Sequence, residues 1–135
     1  MEQTTTTANR LLTPSVLAAL ATYPLYAQET AHVPDLVSVV AFRIGNIRWY
    51  ICEGNAEGAG FTLYGLTCGM IETPELGYIS ADELASVEVK GERYGLPAGV
   101  VLRVERVEDF KPCRLSEITD HDVVAYCARY DTSEK

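Results

Sequence analysis

Two apolar, β-branched runs, residues 36–44 and 47–53, flank the pair Gly45-Asn46 and constrain the fold more than any other feature of the chain. A Gly-Asn pair between two such runs predicts a β-hairpin with a type II′ turn. This turn fixes the register, because residue 44 then lies opposite 47, 42 opposite 49 and 40 opposite 51. Six apolar side chains share one face of that hairpin, which we expect to lie in the core. They are Val40, Phe42, Ile44, Ile47, Trp49 and Ile51.

The same register places Arg43 opposite Arg48 on the other face of the hairpin. Like charges that face each other across two strands repel, so we expect an acidic group close to both side chains. Two partners stay open. One is an Asp or Glu of the same chain, which a net charge of -8 favours, and the other is a bound anion.

The strands that follow are predicted from alternation and from turn residues. Residues 61–70 are apolar on both alternating faces, which predicts a central strand covered on both sides. The glycine-rich residues 54–60 predict a flexible connection, and residues 71–77 predict a turn before a short strand at Tyr78 and Ile79. Residues 87–107 contain two further β-branched segments, which we expect to be extended.

Three helix starts are visible in the sequence. Thr13 followed by Pro14 predicts the first helix, which ends before Pro24. A capping box that begins at Ser80 predicts a short second helix. A third is expected to start at residue 116 or 119 and to reach residue 129. The expected apolar faces are Val16, Leu17 and Leu20 for the first helix and Val123, Val124, Cys127 and Tyr130 for the last.

Together these elements predict an α+β fold in a single small domain. We expect a mostly antiparallel sheet with an N-terminal helix, a short middle helix and a C-terminal helix over residues 11–130. A disordered lead-in at residues 1–10 and a polar tail at residues 131–135 are expected to flank this domain.

Composition and spacing bear on the compartment and on cofactors. The four cysteines form no Cys-x-x-Cys pair, so we expect Cys52 and Cys68 to be reduced core thiols, and we expect no metal and no cofactor. No apolar run approaches the roughly 20 residues of a membrane span, and the polar first ten residues are unlike a signal peptide. We therefore expect a cytoplasmic protein that does not bind membranes.

Charge is segregated along the chain. The interval between Arg48 and Lys90 contains seven acidic residues and no basic one. The surface of such an acidic protein repels phosphates, which argues against direct binding of nucleic acid, and it attracts a basic protein. A solvated face without a partner is the simpler alternative. The predicted partner-binding residues are Glu53, Glu57, Glu72, Glu75 and Glu88.

No catalytic residue is predicted. The sequence contains neither a Gly-x-Ser-x-Gly elbow nor a phosphate-binding loop. Paired glutamates around residues 53–75 leave open a small hydrolase or a metal-dependent enzyme. A structural subunit of a larger assembly is a third possibility, which predicts a large exposed apolar patch.

Six short motifs resemble those of a bacterial family known as domain of unknown function 2958. They are Leu-Leu-Thr at 11–13, Tyr-x-x-Glu-Gly at 50–54, Phe-x-x-x-Gly at 61–65, Pro-Glu-Leu-Gly-Tyr at 74–78, Ser-x-x-Glu-Leu at 80–84 and Phe-Lys-Pro at 110–112. The resemblance covers about residues 11–112, and the segment at 91–107 is longer than in the family.

The resemblance implies an accessory protein of a plasmid, an integrative element or a phage. Such a setting implies support of conjugation or counter-defence, for instance inhibition of a CRISPR or restriction complex. An acidic counter-defence protein commonly occupies a basic channel that normally holds nucleic acid. The implied partner is therefore a basic, nucleic-acid-handling protein.

Overall fold

The computed structural model describes residues 9–69 and 73–130. These residues form three α-helices and nine β-strands. The helices are α1 Pro14–Ala21, α2 Ala81–Ser86 and α3 His121–Ala128. The strands are β1 Val37–Ser38, β2 Val40–Ile44, β3 Ile47–Glu57, β4 Gly60–Cys68, β5 Glu75–Ser80, β6 Glu88–Lys90, β7 Val101–Arg103, β8 Glu105–Arg106 and β9 Cys113–Arg114.

An antiparallel sheet with the strand order β5-β4-β3-β2-β8 forms the centre of the molecule. Two small antiparallel pairs, β1-β9 and β6-β7, lie beside it. The predicted α+β fold with an N-terminal, a short middle and a C-terminal helix is confirmed. Most of the predicted lead-in and all of the predicted tail lie outside the described residues. Asn9 and Arg10 are an exception to the predicted disorder, because their side chains donate hydrogen bonds to the carbonyls of Ala81 and Val104.

The predicted hairpin register is confirmed along the whole β2-β3 pair. Phe42 lies opposite Trp49, and Arg43 lies opposite Arg48. Gly45 adopts a φ of 57°, while Asn46 does not have a positive φ, which is the pattern of a type II′ turn. Trp49 is only 3% exposed, so the predicted apolar face does lie in the core.

The core has two parts, one on each face of the central sheet. The first contains the apolar face of the hairpin, Leu63 of β4, and residues of α1 and α2. The second contains Leu66 and Cys68 of β4 together with Val123 and other residues of α3. Strand β4 is therefore covered on both sides, as its sequence predicts.

Two predicted connections are wrong. Residues 54–60 are not a loop, because β3 continues to Glu57 and turns into β4 at Gly58 and Ala59. Glycine serves two specific purposes here. Gly58 adopts a φ of 58° in the turn, and a Cβ at Gly54 would lie 2.9 Å from Leu63 Cδ2. Residues 71–77 are not all turn either, since β5 already begins at Glu75 and pairs with β4.

The first helix begins with the predicted cap, but the last helix begins later than predicted, at His121, and the buried faces of both differ from the prediction. The hydroxyl of Thr13 accepts the backbone N–H of Val16, while α3 is capped by Asp120 and not by a serine or threonine. Leu17 and Val124, which were expected in the core, are 40% and 53% exposed. Tyr126 takes the buried position on α3 instead.

Candidate functional site

Glu53 was predicted to bind a partner, and the structure shows that this is wrong. Its side chain is 3% exposed. One carboxylate oxygen accepts the backbone N–H of Tyr26 at 2.8 Å, and the other accepts that of Gln28 at 2.7 Å. The cause is a β-bulge between Ile51 and Glu53, which places Glu53 opposite Tyr64 on the inner side of the preceding loop. Glu53 therefore organises that loop and does not contact solvent.

The loop at residues 23–28 is fixed to β3 by more than Glu53. The backbone N–H of Leu25 donates to Asn55 Oδ1 at 2.7 Å, and the N–H of Gly54 donates to the carbonyl of Tyr23 at 3.1 Å. The buried amide of Gln28 exchanges hydrogen bonds with the backbone of Val37 in both directions. Such a network can hold a strained residue in place.

The residue that this loop presents is Tyr26, which adopts a φ of 75°. Positive φ is unfavourable for a residue with a bulky side chain. Nevertheless the ring of Tyr26 is 56% exposed and packs against Tyr78 with the ring centroids 6.3 Å apart. A strained backbone therefore supports an aromatic side chain at the surface.

Three tyrosines from three elements meet at this point, and we name them the tyrosine surface: Tyr26, Tyr64 and Tyr78. The rings of Tyr64 and Tyr78 are 5.0 Å apart between centroids and are tilted by 50°. Tyr78 is 60% exposed. Partial burial raises the pKa of Tyr64, and the nearby charge of Glu53 raises it further. The three rings thus lie together above a buried carboxylate.

Sequence reasoning missed the tyrosine surface because its members come from a loop and two strands. The high tyrosine content, eight residues against three phenylalanines and one tryptophan, was the one available signal. Tyrosine combines an apolar ring with a hydroxyl and is enriched where proteins bind one another.

Among the described residues, the other predicted glutamates do not form one acidic face. Glu57 lies next to the β3-β4 turn, whereas Glu75 pairs with Thr67 near the other end of β4. At about 3.3 Å per residue, the seven residues of β4 that separate these positions span roughly 23 Å. Glu88 forms an exposed ion pair with Arg103 at 3.1 Å, and Glu72 lies outside the described residues.

A smaller acidic site does exist at the β3-β4 turn, and we call it the tip pocket. It has a volume of about 270 Å³. Its lining residues are Leu12, Leu17, Ala56, Gly58, Ala59, Gly60, Phe61 and Asp82. The carboxylate of Asp82 lies beside Gly60, since a Cβ at Gly60 would be 3.3 Å from Asp82 Oδ2. An apolar floor next to a carboxylate is suited to binding, not to a proton-transfer reaction that needs paired acids.

The acidic partner expected for the arginine pair belongs to the same chain. Arg48 forms ion pairs with Asp120 at 2.8 Å and with Asp122 at 2.6 Å, and the hydroxyl of Tyr50 donates to Asp120 at 2.7 Å. Partial burial disfavours the charged Asp120, but the hydrogen bonds from Arg48 and Tyr50 outweigh it and lower the pKa of Asp120 to about 2. The exposed Arg43 lies opposite Glu105 of β8.

The cysteines are poor candidates for chemistry. Cys52, Cys68 and Cys113 are free thiols, and Cys52, Cys68 and Cys127 are buried. Burial raises the pKa of both Cys52 and Cys68 to about 12, so these thiols stay protonated near neutral pH. Over residues 9–69 and 73–130, no three His, Cys, Asp or Glu side chains come together as a metal site would require.

No described helix combines the length and the apolar character needed to cross a membrane. No protein-family model, no curated protein and no solved structure matches this chain. The resemblance to domain of unknown function 2958 therefore stays a prediction.

Proposed function

We propose that this chain is a non-enzymatic binding protein whose partner is a protein with a positively charged surface. The observation that carries the proposal is the tip pocket, where an apolar cavity is bordered by the exposed carboxylate of Asp82. Two more exposed carboxylates are neighbours in sequence of its lining residues: Glu57 precedes Gly58, and Glu83 follows Asp82. Within the described part of the chain, none of the three has a basic side chain at ion-pair distance. They are thus available to a basic partner.

The local contacts show why these carboxylates point outward. Asp82 and Glu83 occupy the first turn of α2, where negative charge is favourable, and the capping role falls to Ser80. The amide of Asn9 donates to Asp82 at 3.0 Å and so orients its carboxylate without neutralising it. Glu57 is held by the tight turn that follows it.

The apolar floor of the pocket makes the proposal more specific than charge alone. Leu17 is 40% exposed although it lies on a helix that packs against the core. A partner side chain with an aliphatic stem and a cationic end, such as lysine or arginine, would cover this floor while its charge meets the rim. The proposed partner segment is therefore basic and partly apolar.

The family resemblance would make this partner a nucleic-acid-handling protein, encoded by the host or by a mobile element and met in the cytoplasm. Counter-defence is the setting that we propose for it. The tip pocket supports only the more general proposal of a basic partner. The alternative of a small hydrolase or a metal-dependent enzyme loses support, because Glu53, Glu57 and Glu75 do not converge.

The experiment that tests the proposal is affinity capture from the natural host with three forms of the chain. One is wild type, the second carries Glu57→Gln, Asp82→Asn and Glu83→Gln, and the matched control carries Glu92→Gln, Glu108→Gln and Asp109→Asn. All six positions are exposed, and both variants lose the same charge. We expect a basic protein that the wild type and the control capture and the tip variant does not. Equal capture by all three forms would contradict the proposal.

A further inference from the structure

We propose that the tyrosine surface is a receptor for an arginine side chain of the protein partner, on the face of the sheet opposite the tip pocket. This inference rests on the proposed function only in taking the partner to be basic. The tip pocket is built on the α1 and α2 side of the sheet, while Tyr64 projects from β4 on the α3 side, as Leu66 and Cys68 do. Asp82 of the tip pocket can therefore be altered without touching the three rings.

The tyrosine rings are accessible from solvent. Tyr78 and Tyr26 are 60% and 56% exposed, and over the described residues no arginine or lysine lies across any of the three rings. Successive rings are tilted by 59° and 50°, so their faces point in different directions and do not stack flat on one another. Exposed, tilted tyrosine faces are the geometry that attracts a cation.

A buried negative charge lies below the rings. Glu53 is 3% exposed and accepts two backbone N–H groups, but no basic side chain in the described ranges lies within ion-pair distance of it. A buried carboxylate that lacks a cationic partner makes the potential above it more negative. Glu53 lies opposite Tyr64 in the sheet and bonds the backbone of Tyr26, so its charge lies close to the rings. Desolvation raises the pKa of Tyr78, and the charge of Glu53 is one of the groups that raise it further.

Elsewhere in this protein an arginine already packs on a tyrosine ring. The guanidinium carbon of Arg129 lies 5.3 Å from the ring centroid of Tyr126, which in turn packs on Tyr130 at 5.6 Å. Arginine suits such a place better than lysine, because its planar guanidinium stacks on aromatic faces and is more weakly hydrated.

The loop that presents Tyr26 is built at a cost in backbone strain, which a purely structural tyrosine would not require.

The test is an NMR titration of the isotope-labelled full chain with a capped pentapeptide, Gly-Ser-Arg-Ser-Gly. The control peptide carries citrulline, the neutral isostere of arginine. We expect saturable shifts of the Tyr26 and Tyr78 ring resonances at millimolar peptide, with binding of the citrulline peptide weaker by about threefold or more. Equal binding of both peptides, shifts that map to Glu57 and Asp82, or no shifts at all would each overturn the inference.

Two variants complete the test. Tyr26→Gly removes one ring and relieves the positive φ, so it leaves the fold intact, and Tyr78→Thr removes a second ring from an exposed strand position. We expect both to lose the arginine-dependent shifts. Both tyrosine variants are also tested for binding to the captured partner, beside the variant with Glu57→Gln, Asp82→Asn and Glu83→Gln. If the tyrosine variants bind fully and the tip variant does not, the proposed function stands and this inference alone is overturned.

Discussion

The carboxylate of Glu53 accepts the backbone N–H of Tyr26 at 2.8 Å, although the two residues are 27 positions apart in the chain. This bond joins a bulged central strand to a loop residue with a positive φ of 75°. It also explains why an acidic side chain lies in the interior of the protein. The pair links the fold to the tyrosine surface, because Glu53 fixes the backbone that presents the ring of Tyr26.

We expect Glu53→Gln to destabilise the protein by about 1–3 kcal/mol, because an amide can accept only one of the two backbone N–H groups and turns its own NH₂ toward the other. Chemical denaturation measures the loss, and faster hydrogen exchange at Tyr26 and Gln28 would locate it. Glu57→Gln, four residues further along the same strand but exposed, is the control and should stay within about 0.5 kcal/mol of wild type. Identical stability of the two variants would contradict the assigned role of Glu53.

Gly65 and Gly77 face each other across β4 and β5, yet we expect opposite responses to alanine. A Cβ at Gly65 would overlap the carbonyl oxygen of Tyr50, which is backbone and cannot rotate away. Gly65→Ala should therefore cost about 1–3 kcal/mol. A Cβ at Gly77 meets nothing within 4 Å, so Gly77→Ala should be neutral or slightly stabilising. Thermal melts of the two variants measure these changes in stability. A similar loss of stability in both variants would show that the close approach of the Tyr50 carbonyl does not explain the effect of Gly65→Ala.

Trp49 is buried against the hairpin face, and we expect Trp49→Ala to lower the free energy of unfolding by about 3–5 kcal/mol. The wild-type protein should show blue-shifted tryptophan emission that acrylamide quenches poorly, since this is the sole tryptophan of the chain. Red-shifted, easily quenched emission would contradict both the register and the core built on it.

The Asp120 carboxylate should make stability depend on pH in a defined window. Its pKa falls from 3.8 to about 2 in the folded state, so the protonated form is disfavoured on folding. The stabilisation that the charged Asp120 gives the folded state is present above pH 3.8 and is lost as the pH falls toward 2. Asp120→Asn should cost about 1–3 kcal/mol at pH 6 and progressively less below pH 4. Asp109→Asn, an exposed control, should stay within about 0.5 kcal/mol of wild type at pH 6.

Local rules predicted those parts of the fold that depend on a few neighbouring residues. The Gly45-Asn46 pair was sufficient for the register of β2 and β3, and Thr13 and Ser80 were sufficient for two helix starts. The repulsion between Arg43 and Arg48 predicted an acidic partner of the right kind. It could not name Asp120, which lies 72 residues from Arg48 in the chain.

The candidate sites were less predictable because they depend on long-range contacts. The burial of Glu53 requires the bulge at β3 and a loop that precedes β1, and neither has a local sequence signal. The predicted acidic face was a set of residues close in sequence, and the sheet separates Glu57 from Glu75 along β4. The tyrosine surface combines three segments that only the fold brings together.

The most direct test of the account is the salt dependence of binding between the purified chain and the captured basic partner. Screening weakens attraction between exposed charges, so we expect the affinity of the wild type to fall steeply from about 50 mM to about 500 mM NaCl. The variant with Glu57→Gln, Asp82→Asn and Glu83→Gln should bind at least about tenfold more weakly at low salt and show a flatter salt dependence. The matched control with Glu92→Gln, Glu108→Gln and Asp109→Asn should behave like wild type. Binding that is indifferent to salt, or that both variants weaken equally, would contradict the claim that the tip pocket recognises a positively charged protein.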